Sequence, residues 1–516
     1  MMGRATQLLL PEGLAAAAVA DALAAELPIV TQRAHTIDRT FWDTFDGRLH
    51  DAGLALVAAG GRLVLADAAT SAEQAAGELP RGPARLFAGG LPAGPLRDRL
   101  APLIEMRALT PAARVRSRFL PLNVLDDVGK IVVRLRVEEP VAVFGARNAP
   151  LPSRLHVTGV LGYDRQFERV GAQLERALGL VAPARPVADD AVAADGGRVG
   201  GTSSKLRVRL ESGDRADAAA VAIARRLLDV IEVNLPGTLD DVDSEFLHDL
   251  RVAVRRSRAL QRELAGVFPP EPLRVFRGGF RELQAITGPT RDLDVQLLEF
   301  DELAARLPDG GDGAVAVAPL RRLLEEHLRG ARATMVRELR AARTRALLDN
   351  WSAILDGLVD SDPGGRADAP RPVADVAGER IAAVHRRMVR MGRKIDDGSP
   401  AEALHDLRKK GKELRYLLEF FASLYPPEVI KPMVSSLKGL QDVLGRFQDR
   451  EVQADRLRSL GDEVAALEGG APALMAMGVL VQQLAADQAA ARAEFEETFS
   501  AFSAREQRAL VKQTFA

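Results

Sequence analysis

The residues best placed to do chemistry in this 516-residue chain are two histidines, each followed by a train of cations. Leu247-His248-Asp249-Leu250-Arg251 leads into Arg255, Arg258 and Arg262. At a spacing of 157 positions, Leu404-His405-Asp406-Leu407-Arg408 leads into Lys409, Lys412 and Arg415. On a helix turning about 100° per residue, His248, Arg251, Arg255, Arg258 and Arg262 fall within about 80° of one another. Leu247, Leu250, Val254 and Leu260 lie largely on the other side. His405, Arg408, Lys412 and Arg415 take the same angles, with Lys409 beside them. Further along, Arg274 and Arg281 recur as Lys431 and Lys438, each pair spaced by seven residues.

Such a stripe is a ladder of like charges, which repel by a few tenths of a kcal/mol per pair. A polyanion laid along it relieves that repulsion, and arginine forks match phosphate oxygens. A solvated helix face is the competing explanation. Against it, seven of fourteen positions are identical between 247–260 and 404–417, and an eighth keeps its positive charge. The alternative for each histidine is a helix-start residue held by its own turn; as a phosphate donor it works best protonated. No His-x₃-His spacing or paired carboxylate accompanies either one, so no metal role is expected. The helical half has no nucleophile–base pair, so no catalytic residue is assigned there.

The repeat extends past the cations. Phe268-Pro269-Pro270-Glu271 returns as Tyr425-Pro426-Pro427-Glu428, and Leu283-Gln284, Gly288 and Asp292 return as Leu440-Gln441, Gly445 and Asp449. Roughly 45 residues align without a gap, which identifies an internal duplication. Each copy should hold a helix ending at the Pro-Pro pair, then a second helix broken at Gly288-Pro289 or Gly445, then a third. Asp243 and its acidic neighbours open the first repeat helix; Ser399-Pro400-Ala401-Glu402 reads as a capping box for the second. The preceding helix from Ala218 should end near Pro236-Gly237, and the stretches 307–315 and 361–372 read as exposed connections. Short connections between helices predict two antiparallel bundles of about four helices, near 205–360 and 373–516.

The first 180 residues have a different texture. Leu54–Val57 and Arg62–Leu65 flank Ala58-Ala59-Gly60-Gly61, a hairpin arrangement. Lys130–Val137 and Leu155–Val160 read as strands, the first ended by Pro140, and Gln166–Leu180 as an amphipathic helix. Arg134, Arg136 and Glu138 share one face of their strand. An outward polar face is the preferred reading, a residual anion site the alternative. Residues 181–204 are rich in Ala, Pro, Asp and Gly without periodicity and read as a flexible linker.

A net charge of −1 means that any basic surface is local. The absence of cysteine rules out disulfides and thiolate metal sites and suits a reducing cytoplasm. No apolar run reaches the roughly 18 residues a membrane helix needs, and Leu8-Leu9-Leu10 is too short for a signal peptide, so a cytoplasmic protein is expected. Three Tyr and two Trp leave few stacking platforms, which disfavours nucleic acid as the partner.

The two His-x-x-Arg-x₃-(Arg/Lys)-x-x-Arg helices and the two Leu-Gln-x₃-Gly-x₃-Asp segments resemble the CHAD family, named for conserved histidines in an α-helical domain. The resemblance covers 205–516. It implies two four-helix bundles with basic surfaces, inorganic polyphosphate as ligand, and, for some members, association with polyhydroxyalkanoate granules. Phe41–Leu49, Ala52–Leu56, Val124–Lys130 and Gly162-Tyr163-Asp164 resemble the CYTH, or triphosphate tunnel, family, an α+β antiparallel barrel that often precedes CHAD. In that family a Glu-x-Glu-x-Lys strand holds divalent metal. Its counterpart here, Thr6–Leu10, has no acid and no lysine, and Val57-Ala58-Ala59 stands where arginines are expected, so the barrel looks degenerate. The expected function is therefore non-catalytic polyphosphate binding without a cofactor. The alternative is a triphosphatase or polyphosphatase using Mg²⁺ or Mn²⁺ in the tunnel.

Overall fold

The computed structural model describes residues 4–13, 15–82, 84–178, 180–307 and 315–515. The start of the chain and most of the glycine-rich connection at 307–315 lie outside the described residues. Two compact units divide at Ser204 and Lys205.

In the first unit one antiparallel sheet curls into a half-barrel. Its strands are β1 (Ala5–Leu9), β2 (Ile29–Thr31), β3 (His35–Thr44), β4 (Leu54–Ala59), β5 (Arg62–Asp67), β6 (Glu73–Glu78), β7 (Leu109–Leu125), β8 (Ile131–Phe144), β9 (Arg147–Pro150) and β10 (Arg154–Gly159). The order along the sheet is β1-β10-β8-β7-β3-β4-β5-β6, with β2 added to β7 and β9 to β8. The β4–β5 hairpin turns at Gly60 and Gly61, whose φ values of 55° and 80° explain the two glycines. Alternation along the strands sends Val133, Leu135, Val137, Leu155 and Val157 to a core shared with α1 (Ala16–Glu26). An additional helix, α2 (Pro95–Ile104), packs on the β6 side. The predicted amphipathic helix is α3 (Asp164–Leu178); Phe167, Val170 and Leu174 are buried there.

Two expectations fail in this unit. Strand β8 does not stop at Pro140; it continues to Phe144. Pro140 stands opposite Ser117, and its carbonyl accepts from the Leu151 amide, so only the missing N–H is lost. Residues 181–204 are not an unstructured linker. They carry α4 (Val187–Ala194), whose Asp190 takes a hydrogen bond of 2.6 Å from the fully buried Arg154. Asp189 meets His50 at 3.2 Å, and Gly200 and Gly201 lie against Gly47, where an added Cβ would clash with backbone. Burial of one guanidinium and backbone-to-backbone packing hold the segment, and neither has a periodic signature.

The second unit is all helical. The first copy comprises α5 (Ala216–Leu239), α6 (Ser244–Glu263), α7 (Pro270–Ile286), α8 (Gly288–Leu298), α9 (Ala318–Arg340) and α10 (Ala342–Gly357). The second comprises α11 (Val373–Gly392), α12 (Ala401–Phe420), α13 (Pro427–Ser459), α14 (Gly470–Ala493), α15 (Phe495–Phe502) and α16 (Arg505–Phe515). Trp351 anchors the first copy, with Phe268, Phe276 and Phe280 at ring distances of 5.5, 4.8 and 5.8 Å. The two copies do not keep separate cores: one apolar cluster runs from Leu210 to Phe515 through both. Among the described residues no helix is long and apolar enough to cross a membrane.

Helix boundaries differ from expectation at three places. Helix α5 passes through Pro236 to Leu239, with Phe246 filling the space left by the missing side chain of Gly237. The capping box at Ser399 is not made, because its hydroxyl turns back to Asp396 at 2.9 Å; Asp243 does cap α6, accepting from the amides of Glu245 and Phe246. Helix α13 runs unbroken through Gly445 for 33 residues, whereas α7 ends at Ile286 and α8 begins at Gly288. Gly445 is followed by Arg446 rather than proline, so every backbone donor is kept and glycine alone does not stop the helix.

A Cβ at Gly445 would meet only the Arg408 side chain at 3.8 Å, an ordinary contact. Gly445→Ala should therefore stabilise the protein by about 0.5–1 kcal/mol in urea unfolding. Gly237→Ala, whose Cβ would lie 2.2 Å from the Phe246 ring, should destabilise it.

Candidate anion-binding site

Helices α6 and α12 lie against one another, so the two basic stripes meet instead of running apart. Arg256 pairs with Glu419 and Arg262 with Glu413, the latter at 3.0 Å. These pairs are equivalent under the repeat, since 256 corresponds to 413 and 262 to 419. The first copy supplies both arginines and the second both glutamates, an arrangement with local two-fold symmetry and opposite charges.

Next to the paired positions stand Arg255 and Lys412, themselves equivalent under the repeat, both half-buried. Neither makes an ion pair among the described residues, and the buried Arg255 Nε has no hydrogen-bond partner there. Burial pushes the Lys412 ammonium down to about 8; the charges of Arg408 and Arg255 push the same way, and Asp449 opposes them. Arg408 donates to Asp449 at 2.9 Å. Its counterpart Arg251 is buried and donates to the Gln284 carbonyl at 3.1 Å and the Thr287 hydroxyl at 3.0 Å, capping the end of α7. Burial lowers Arg251 to about 10; Asp292 opposes that, while Arg255 and Arg291 add to it.

Beyond the crossing, Arg258, Gln261, Arg262, Arg277 and Arg281 line a cavity of about 180 Å³. Arg258 bonds the Gln284 side chain, and its pKa is lowered by burial and by Arg281 and Arg262. The remaining predicted residues sit nearer solvent. Arg274 bonds Glu271 at 3.3 Å, Lys409 bonds Asp406 at 3.2 Å and Arg415 bonds Glu419 at 2.8 Å. Lys431 and Lys438 are exposed. His405 is tied through Nδ1 to the side chain of Gln448, and His248 is half-buried in the first turns of α6. Arg277 was not anticipated, because its counterpart is Val434 and the repeat gives no signal there.

The sheet of the first unit carries a second polar cluster. Glu138 is fully buried and accepts from Ser117 Oγ at 2.7 Å, from His156 Nε2 at 2.5 Å and from Arg39. Burial would raise its pKa, but His156, Arg39 and Ser117 together hold the carboxyl well below the usual range. Burial depresses His156 against the pull of Glu138, so the ring is a neutral donor to a carboxylate. The outward-face reading therefore fails for Glu138, although Arg134 is exposed and Arg136 lies 4.5 Å over the Phe119 ring. Gln7, the inward residue of β1, bonds Ser71 at 2.8 Å in place of the acid a tunnel strand would supply.

The family model of the CHAD domain matches residues 222–458. The helical unit carries a CHAD domain. All fourteen predicted contact residues, from His248 to Lys438, fall within the matched stretch. The curled antiparallel sheet ahead of the CHAD domain fits a tunnel-like domain. Among solved structures, the CHAD domain from the plant Ricinus communis is 23% identical, with a TM-score of 0.48, covering 58% of this chain and 96% of that one. PptA from Streptomyces chartreusis is 17% identical, with a TM-score of 0.41, covering 56% and 100%. No curated protein matches the chain.

The Arg256–Glu419 pair is mostly shielded, its side chains 17% and 22% exposed. Arg256→Glu should lower stability by about 1–2 kcal/mol through repulsion from Glu419. Adding Glu419→Arg should recover most of that loss in a double-mutant cycle read by urea unfolding. A purely additive cycle would remove the pair from the interface energetics.

Proposed function

We propose that the CHAD domain binds inorganic polyphosphate without catalysis, the chain lying across the junction of α6 and α12. The observation carrying this reading is the repeat-equivalent pair Arg255 and Lys412, half-buried cations near enough to repel across the junction and without an ion pair of their own among the described residues. Holding unpaired cations together out of water costs free energy, and a run of phosphoryl oxygens supplies the missing negative charge. Arg408, Arg258 and Arg281 extend the positive surface on both sides, so successive phosphates meet successive guanidinium groups. Arg251 supports the site from beneath by fixing the end of α7, and the histidines hold the starts of the two stripes. A soluble cytoplasmic setting, with polyphosphate or polyhydroxyalkanoate granules as the place of encounter, suits such a surface.

The first unit supports no turnover by this reading. The buried carboxylate of its sheet, Glu138, is already occupied by Arg39, Ser117 and His156. A phosphate-release assay with Mg²⁺ and with Mn²⁺ tests this: release that depends on residues of the half-barrel would replace binding by hydrolysis.

Titration calorimetry with long-chain polyphosphate should give an affinity that falls steeply with added salt, as expected for several phosphate contacts. It should also fall as pH rises through about 8, where unliganded Lys412 loses its proton. Bound phosphate favours the charged ammonium, so binding near that pH should take up protons. Lys412→Arg should flatten this pH dependence, and Arg255→Ala with Lys412→Ala should abolish high-affinity binding. Unchanged affinity in the double variant would return the stripes to ordinary solvated surface.

A further inference from the structure

The two copies present unequal surfaces to an anion. In the first, Arg258, Arg277 and Arg281 converge on the cavity beside α6 with no carboxylate partner among the described residues, and Arg262 forms its rim. Arg262 is the member bridged to carboxylates, Glu263 at 2.9 Å and Glu413 at 3.0 Å. At the equivalent positions the second copy has Arg415, Glu419, Val434 and Lys438. Two of its cations are lost, and Arg415 is neutralised by Glu419 at 2.8 Å. A four-arginine pocket therefore exists on one side of the junction only.

Its ligand class follows from charge density. An interior phosphoryl group of a polyphosphate carries one negative charge, whereas the terminal group ionises a second time near neutral pH, as phosphate monoesters do with a second pKa of about 6. A ladder of separated cations suits interior groups. Several guanidinium groups around one small volume suit the doubly charged end, and their forks can bond its three free oxygens at once. Arg277 is held for that purpose, since its Nη2 donates to the Gln261 carbonyl at 2.6 Å. Burial lowers the pKa of Arg258 first and crowding by Arg281 and Arg262 adds to it, and that crowding is the repulsion such a ligand relieves.

We propose that the pocket formed by Arg258, Arg262, Arg277 and Arg281 is a terminal-phosphate subsite, so that polyphosphate binds in one direction, with its end in the first copy. This rests on the polyphosphate reading of the α6–α12 junction. It makes the CHAD domain an end-binding module, whereas two equivalent ladders would grip a chain anywhere along its length. Linear tripolyphosphate, which is mostly chain end, is then a ligand in its own right.

Calorimetry on the full chain with tripolyphosphate and with long-chain polyphosphate tests this. Arg281→Ala, an exposed residue without an ion pair, and Arg277→Val, the residue of the second copy, should each weaken tripolyphosphate about tenfold, the loss of one charge-assisted contact. Long-chain affinity should fall by a smaller factor, because the contacts at Arg255 and Lys412 persist. Lys438→Ala, the counterpart of Arg281, should show the opposite order and weaken the long chain more than the short one. Equal losses for both ligands in Arg281→Ala, or a wild type that binds long chains and not tripolyphosphate, would overturn the end pocket while leaving polyphosphate binding intact. A wild type that binds neither ligand would overturn polyphosphate binding itself.

Discussion

Everything at the candidate site depends on one electrostatic arrangement: two like charges held beside two opposite-charge pairs. Arg255 and Lys412 repel each other where α6 meets α12, and burial denies both the full screening of water. Arg256–Glu419 and Arg262–Glu413 draw the same helices together. The apolar cluster common to both copies supplies the bulk attraction, but it is indifferent to which cation faces which. The paired charges select the register, in which 256 meets 419 and 262 meets 413, and Arg255 and Lys412 each stand one residue from a paired position.

Duplication explains why the arrangement has this form. Identical copies related by a local two-fold axis would bring arginine against arginine at both pairs, since 256 meets the counterpart of 262 and 262 the counterpart of 256. With glutamate at 413 and 419 in place of the arginines at 256 and 262, these contacts are attractive, while position 412 keeps a positive charge. The same exchange removed Arg262's counterpart from the second copy and left Arg415 neutralised by Glu419. The same two differences thus stabilise the junction and make its two sides unequal.

Much of this was legible in the sequence because it is periodic. The 157-residue offset, the cation stripe opposite Leu247, Leu250 and Val254, the Gly60-Gly61 hairpin and the amphipathic α3 all follow from spacing alone. What escaped depends on contacts between distant segments. The change from Arg256 to Glu413 was visible as a difference, but Glu419 as the partner of Arg256 needs two helices placed side by side. Arg277 had no echo in the repeat, since Val434 replaces it. Arg251 looked like a rung of the ladder, and only the position of α7 shows its guanidinium committed to backbone. Gly445 was over-read because Gly288 is followed by Pro289, and the proline does the breaking.

The segment 181–204 has a practical consequence for dissecting the protein. Arg154 is fully buried in the half-barrel, and the one carboxylate it reaches among the described residues, Asp190, belongs to α4. Cleavage at the compositional boundary near 180 would strand that guanidinium without a counter-ion and open the sheet around Gln7 to water. The excision point that preserves the first unit lies after Ser204, beyond the glycines that rest on Gly47. What composition marks as a hinge acts in the folded chain as a clasp, and a protease with access to it would release the half-barrel's polar interior before it separated any domains.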